Sequence, residues 1–193
     1  MLETLSIRCY YGIINYLIIF QVKKHSVQAI SRKGFLNRIP SEIGYYLAGF
    51  VDGEGSFNLS LRKGEGYKYG WQIGPSFNVS QKDKTNLLLL QKFLRCGRIK
   101  VRKDGIHSFV VEDLESLKEK VIPFFEKFFF LSSKSKINFK IFKEVISLMS
   151  QKGHLRLEGL EKVLKLRENL NQGKGRTRKY SLKDVEILNK RKI

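Results

Sequence analysis

Asp52 and Glu54 are the two acids in the run Leu47-Ala48-Gly49-Phe50-Val51-Asp52-Gly53-Glu54-Gly55. Around them stand residues with almost no side-chain bulk: Gly44 and Ala48 are four apart, as are Gly49 and Gly53. On a helix that spacing lines one side, where another backbone can approach closely. Such a helix ends by delivering its acids at the entrance of the alternating run Ser56-Phe57-Asn58-Leu59-Ser60-Leu61-Arg62. Small residues that end in a carboxylate at a strand entrance suit a metal site shared between two copies of one helix. Taken without the rest of the chain, the same spacing also describes a tightly packed helix followed by a Gly-rich turn with solvated acids.

The elements that must position these acids follow from periodicity. Ile43–Asp52 reads as the first helix, with Ser41 as its N-cap after Pro40. Ser56–Lys63 alternates as a strand, with Phe57, Leu59 and Leu61 on one face. Gly64-Glu65-Gly66 is a turn, and Trp71–Gln81 is the return strand, with Ile73, Pro75, Phe77 and Val79 inward and a bulge expected at Gly74 and Pro75. A helix over Thr85–Leu94 then crosses the sheet. Gly97–Arg102 and His107–Val111 form a second hairpin about Lys103-Asp104-Gly105, with Ile99 and Val101 inward. Helical spacing follows over Leu114–Phe130, entered or interrupted at Pro123, over Asn138–Met149 and over Leu157–Leu170. The expected class is α/β in composition (α+β), in the order helix, hairpin, helix, hairpin, helices. The acidic motif occurs once and there is no internal repeat.

The outward strand positions are of another kind: Ser56, Asn58, Ser60 and Arg62, then Gln72, Ser76, Asn78 and Ser80, then Arg98, Lys100 and Arg102. Four antiparallel strands of this pattern, twisted as sheets are, make a saddle with one polar side. Arg pairs with guanine edges and Asn or Gln with adenine edges in a major groove. Arg98, Lys100 and Arg102 lead as candidates for DNA binding, followed by Asn58, Ser60, Arg62, Gln72, Asn78 and Ser80. An ordinary solvated sheet face has the same alternation. Charge argues for a polyanion: 37 Lys and Arg against 18 Asp and Glu leave a net charge of +19 on 193 residues. Such a field favours DNA, RNA or an acidic membrane surface. The 14 Phe and 42% hydrophobic content require a packed core rather than a disordered chain. Cys9 and Cys96 offer no disulfide framework, and their spacing from His25, His107 and His154 matches no zinc pattern. Both read as unpaired thiols.

The nine-residue motif resembles that of the LAGLIDADG homing endonucleases. The resemblance extends over about residues 41–190, through Phe77-Asn78-Val79-Ser80-Gln81-Lys82 to Leu170-Asn171-Gln172-Gly173-Lys174-Gly175-Arg176-Thr177-Arg178-Lys179. It implies the LAGLIDADG fold for residues 41–193 and catalysis at Glu54, which with Gly53 would hold the metal. Mg²⁺, a hard ion that takes carboxylate oxygen, suits that role. By the same resemblance Gln81 positions water, and a lysine in Leu131-Ser132-Ser133-Lys134-Ser135-Lys136 stands near it, with Lys134 preferred and Lys136 second. Asp52, the motif's other acid, would cap or hydrogen-bond at the helix interface. Lys174, Arg176, Arg178 and Lys179 would contact the DNA backbone, adding affinity rather than sequence choice. A single motif implies a homodimer, joined through Tyr46, Ala48, Gly49, Val51, Asp52 and Gly53.

The implied activity is a Mg²⁺-dependent double-strand break with short 3′ overhangs in a long, roughly palindromic DNA site. The implied source is an intron of a chloroplast or mitochondrial genome. Two other roles stay open on the same scaffold: a maturase that binds its intron RNA, and a DNA-binding regulator that does not cleave. Residues 1–40 fall outside the resemblance. Their apolar stretch Ile13–Val22 is ten residues long, too short to span a bilayer. With Arg8, Lys23 and Lys24 the segment reads as an import or secretion signal, an extra helix, or upstream reading frame translated with the domain.

Overall fold

The computed structural model describes residues 34–172 and 178–185. Folding of the domain starts earlier than residue 41, because Phe35, Leu36 and Ile39 are buried in its core. The Lys127 ammonium donates to the Leu36 carbonyl at 2.9 Å. Pro40, in an extended conformation, occupies the cap position of α1 (Ser41–Glu54). Ser41 is thus the first helical residue rather than the cap, and no side chain caps this helix. α1 runs through Gly53 and Glu54, two residues beyond the expected end, and β1 (Gly55–Lys63) starts at the next residue. Gly55 permits that loop-free exit, since a Cβ there would collide with the Val51 side chain and carbonyl.

β1 pairs antiparallel with β2 (Trp71–Gln81) in one unbroken register, from Gly55 opposite Val79 to Lys63 opposite Trp71. The bulge expected at Gly74 and Pro75 is absent. α2 (Thr85–Leu94) then leads to β3 (Arg98–Val101) and β4 (His107–Val111), giving the sheet order β1-β2-β4-β3. β4 pairs with β2 only over Phe77–Gln81. Pro75 therefore stands where β2 is an edge on that side, the setting in which a strand tolerates proline. The turn of the second hairpin holds Gly105 at φ +77, and the Asp104 carboxylate accepts the Ile106 amide at 3.2 Å.

Odd-numbered strand residues face the core. Phe57 lies among the rings of Phe77, Phe125, Phe130, Phe139 and Phe142, with centroids 4.9–5.9 Å away. Val101 departs from the expected inward phase. It is 67% exposed, being the last residue of a four-residue edge strand.

The helix expected over 114–130 is in three parts: α3 (Leu114–Ser116), a π-helical turn (Leu117–Val121) and α4 (Ile122–Lys127). Pro123, at the start of α4, lacks the amide that an uninterrupted α-helix would use, and the widened turn precedes it. α4 stops at Lys127, after which Phe128 and Phe130 turn into the core. α5 (Ser133–Ser150) begins five residues before the expected Asn138, because the Ser132 hydroxyl accepts the Ser135 amide at 3.2 Å as an N-cap. α6 (Leu157–Asn169) completes the layer. Among the described residues no helix is long and apolar enough to cross a membrane. The stretch Ile13–Val22 lies outside those residues.

Candidate functional site

The small residues of α1 divide between two faces. Gly44 points inward, where a Cβ would collide with the Phe128 ring. Leu47, Ala48 and Val51 share that side and are buried. Ala48 and Val51, expected on the shared face between copies, are only 1% and 2% exposed and pack in their own core. The face that remains open holds Tyr45, Tyr46, Gly49 and Gly53. The Tyr46 hydroxyl donates to Asn86 on α2 at 3.1 Å, which fixes the ring beside this face. A Cβ on Gly49 or Gly53 would meet nothing within 4 Å. Nothing inside the described chain therefore requires either residue to be small.

Asp52 is tied to the segment that enters α5. Its Oδ2 accepts the Leu131 amide at 3.2 Å and the Ser132 amide at 3.0 Å, and its Oδ1 accepts the Ser132 hydroxyl. Burial raises its pKa, but the hydrogen bonds from Ser132, Ser135 and Leu131 outweigh that and leave it below the ordinary carboxylate value. A depressed folded-state pKa gives stability that is present at neutral pH and lost as pH falls through the carboxylate range. Asp52→Asn is expected to lower unfolding free energy by about 1–3 kcal/mol at pH 7. The gap from wild type should shrink below about pH 4. Urea titrations at pH 7 and pH 3 check this; a gap unchanged between them would contradict the assigned hydrogen bonds.

Glu54 is exposed and makes no hydrogen bond or ion pair among the described residues. Its chain neighbours Gly53 and Gly55 line, with Asp52, one side of a cleft of about 350 Å³; Glu54 itself is not among the lining residues, and the other side of the cleft holds Lys134 and Ser135 of α5. Lys134 lines it from the first turn of α5, whereas Lys136 does not. Gln81 is not among the lining residues either. It ends β2 opposite His107, and its Oε1 accepts the Lys82 amide at 3.0 Å.

Three residues that the sequence did not single out for a site role also line the cleft: Asn138, Asn171 and Gln172. Asn138 is buried on α5, and its Oδ1 accepts the Asn171 amide at 2.9 Å. Asn171, at φ +53, donates its side-chain amide to the Phe57 carbonyl. A buried Asn on an otherwise apolar helix face was the signal in the sequence. Among the described residues no three His, Cys, Asp or Glu side chains gather as a metal cage. Burial pushes the Cys96 thiol up to about 12, so it remains protonated.

Even-numbered strand residues form the opposite face of the sheet. Arg62 stands across from Gln72, Asn58 from Ser76, and Ser56 from Asn78, which continues through Val110 to Arg98. The Ser80 and Ser108 hydroxyls hydrogen-bond at 2.7 Å in the row that ends at Lys100. Ser60 donates to the Gly74 carbonyl at 3.1 Å. Arg102 falls just outside β3, in the turn, where it pairs with Asp104 at 2.9 Å.

The tail differs from expectation at Arg178. Its guanidinium donates to Glu168 and to the Leu170 carbonyl, each at 2.7 Å, so it is committed within the fold rather than open to a backbone phosphate. Buried Arg167 donates to the Leu59 and Tyr180 carbonyls at 3.0 Å, which fastens the same segment to β1. Lys179 is exposed, with its ammonium 5.4 Å from the Tyr180 ring centroid. Lys174 and Arg176 lie outside the described residues.

The family described as LAGLIDADG endonuclease matches residues 47–146. The chain is 36% identical over 152 residues to the probable intron-encoded endonuclease 2 of Neurospora crassa, covering 77% of this chain and 33% of that protein. It is 34% identical to the DNA endonuclease I-CeuI of Chlamydomonas moewusii, over 72% of this chain and 67% of that one. Among solved structures, the I-LtrWI LAGLIDADG homing endonuclease bound to target DNA superposes with a TM-score of 0.66 at 32% identity. That match covers 69% of this chain and 46% of the other. The chain thus spans about a third of the first of these relatives and about half of the solved structure. The motif, the sheet order and these likenesses agree: the chain belongs to the LAGLIDADG endonuclease family.

Proposed function

We propose that the protein is a site-specific homing endonuclease that acts as a homodimer and makes a Mg²⁺-dependent double-strand break in a long, roughly palindromic DNA site. The observation that carries this reading is the end of α1. There an exposed Glu54 carboxylate, without a hydrogen bond or ion pair among the described residues, follows a face, Gly49 and Gly53, whose smallness nothing among those residues explains. A second copy of α1 laid on that face would bring two Glu54 carboxylates together at a two-fold axis.

The donors at that point are hard oxygens, the Glu54 carboxylate and the Gly53 carbonyl of the last helical turn, and they fit Mg²⁺. One such pair fills only part of an octahedral shell, so the second copy, water and substrate phosphate would supply the rest. When bound, the ion would polarise the scissile phosphate and make a water more acidic. Lys134, lining the cleft beside Gly53, supplies positive charge next to the reacting phosphate. Gln81 orients the water network. Asp52 holds the entrance to α5 and thereby keeps Lys134 in position.

The polar face of the sheet lies in the major groove, with Asn58, Ser60, Arg62, Gln72, Asn78, Ser80, Arg98, Lys100 and Arg102 toward base edges. Lys174, Arg176 and Lys179 contact phosphates. Two half-sites joined at the centre favour sequences that bend there. The printed name of the Neurospora relative, an intron-encoded endonuclease, supports an origin in an intron, which we place in an organellar genome.

The test is incubation of the full chain with a plasmid library of long randomised duplexes in Mg²⁺, with an EDTA control. Metal-dependent linear product whose sequenced ends converge on one palindromic site is the expected result. Retained binding without linear product, in Mg²⁺ or Mn²⁺, would overturn the nuclease reading.

A further inference from the structure

We infer that Glu112 is a specificity-determining residue, which together with Arg98 reads one G·C base pair. This rests on the DNA-reading role proposed for the outward face. Glu112 follows β4 in phase with Ser108 and Val110, which stand opposite the outward residues Ser80 and Asn78. The outward strand positions otherwise hold Ser, Asn, Gln, Arg and Lys with Gly74 and Val110, so Glu112 brings the one negative charge to a cationic row. The Arg98 guanidinium donates to its carboxylate, and the Lys100 ammonium lies 3.7 Å from the other oxygen.

Fold stability does not account for this acid. The Arg98 and Glu112 side chains are 59% and 43% exposed, and exposed ion pairs add little to stability. Phosphate attraction does not account for it either. A carboxylate on a face that meets a polyanion weakens binding to every sequence alike.

Base recognition does account for it. In the major groove a G·C pair presents two adjacent acceptors, guanine N7 and O6, and then a donor, the cytosine amino group. Arg98 keeps donors beyond the one committed to Glu112 and can span the two acceptors. Glu112, held beside it, accepts from the cytosine amino group. An A·T pair presents acceptor, donor, acceptor, which sets its central amino group against the guanidinium and its thymine oxygen against the carboxylate. A G·C pair in the reverse orientation fails in the same way. The ion pair also biases the guanidinium toward one orientation, which favours the order of the two contacts before DNA arrives.

The experiment is selection of bound duplexes from a randomised pool in magnesium-free buffer, for wild type and Glu112→Ala, with thermal melting of both proteins. Wild type should enrich one palindromic motif. The variant, with unchanged melting, should lose about 5- to 100-fold discrimination at one G·C position in each half-site and bind other sequences as well or better. Enrichment of the same motif with undiminished discrimination, whatever the change in overall affinity, would show that Glu112 acts only as a charge and would overturn the inference. No enriched motif from wild type would instead defeat the DNA-reading role on which the inference stands.

Discussion

Glu54→Gln is expected to abolish cleavage while DNA binding persists. The side chain is exposed and makes no hydrogen bond or ion pair among the described residues, so its loss removes no contact from the fold. Surface changes of this kind usually shift stability by no more than about 0.5 kcal/mol. Catalysis is another matter. Lewis-acid stabilisation is worth several kcal/mol, and each 1.36 kcal/mol is tenfold, so the rate should fall by about 10³-fold or more. Binding should hold or tighten, because one negative charge near the phosphates is gone. Single-turnover cleavage, gel-shift titration and thermal melting separate the three quantities. Wild-type cutting by this variant would remove Glu54 from the metal site.

A second large effect is expected from Gly49→Leu. Leu is nearly as good a helix former as Ala, and Gly costs a helix interior about 0.8–1.0 kcal/mol relative to Ala. A Cβ at Gly49 meets nothing, so the isolated subunit should be as stable as wild type or more so. A leucine on the face where two helices would approach must push them apart. Sedimentation should then report a monomer with native melting, and cleavage should fall with the loss of the dimer. Gly44→Ala is the contrast: there the added methyl meets the Phe128 ring, and the subunit itself should be destabilised. If Gly49→Leu sedimented as a dimer and cut DNA, the interface would lie elsewhere.

These two glycines show where the sequence is ambiguous. The spacing in Gly44-x-x-x-Ala48 and Gly49-x-x-x-Gly53 marks two faces of one helix equally well. Only the arrival of Phe128, more than seventy residues later, makes the first of them internal. Strands were easier to read, because alternation needs no distant partner, and the β1 and β2 phases run through nine paired positions. The alternation rule failed at Val101, where the edge strand ends. Arg178 failed for the opposite reason. A basic run looks solvated until Glu168, ten residues earlier on α6, is seen to hold one member of it. The cleft was half legible: its acidic rim announced itself and Asn138 marked an apolar helix face, but no local pattern pairs Asn138 with Asn171 across 33 residues.

The loop-free passage from Glu54 to Gly55 makes α1 and β1 a single lever. One extra residue at that junction would rotate the helix by about 100° relative to the strand or turn the strand's reading side inward. On the proposed function, cutting position and reading position would therefore be set by one rigid offset, while the bases chosen would depend on even-numbered side chains farther along the strands. Such a protein would drift to a new target by exchanging those side chains one at a time, and the place where it cuts relative to that target would stay the same. Lengthening the 64–70 or 102–106 turns leaves that offset intact as well. An insertion at the junction itself would not.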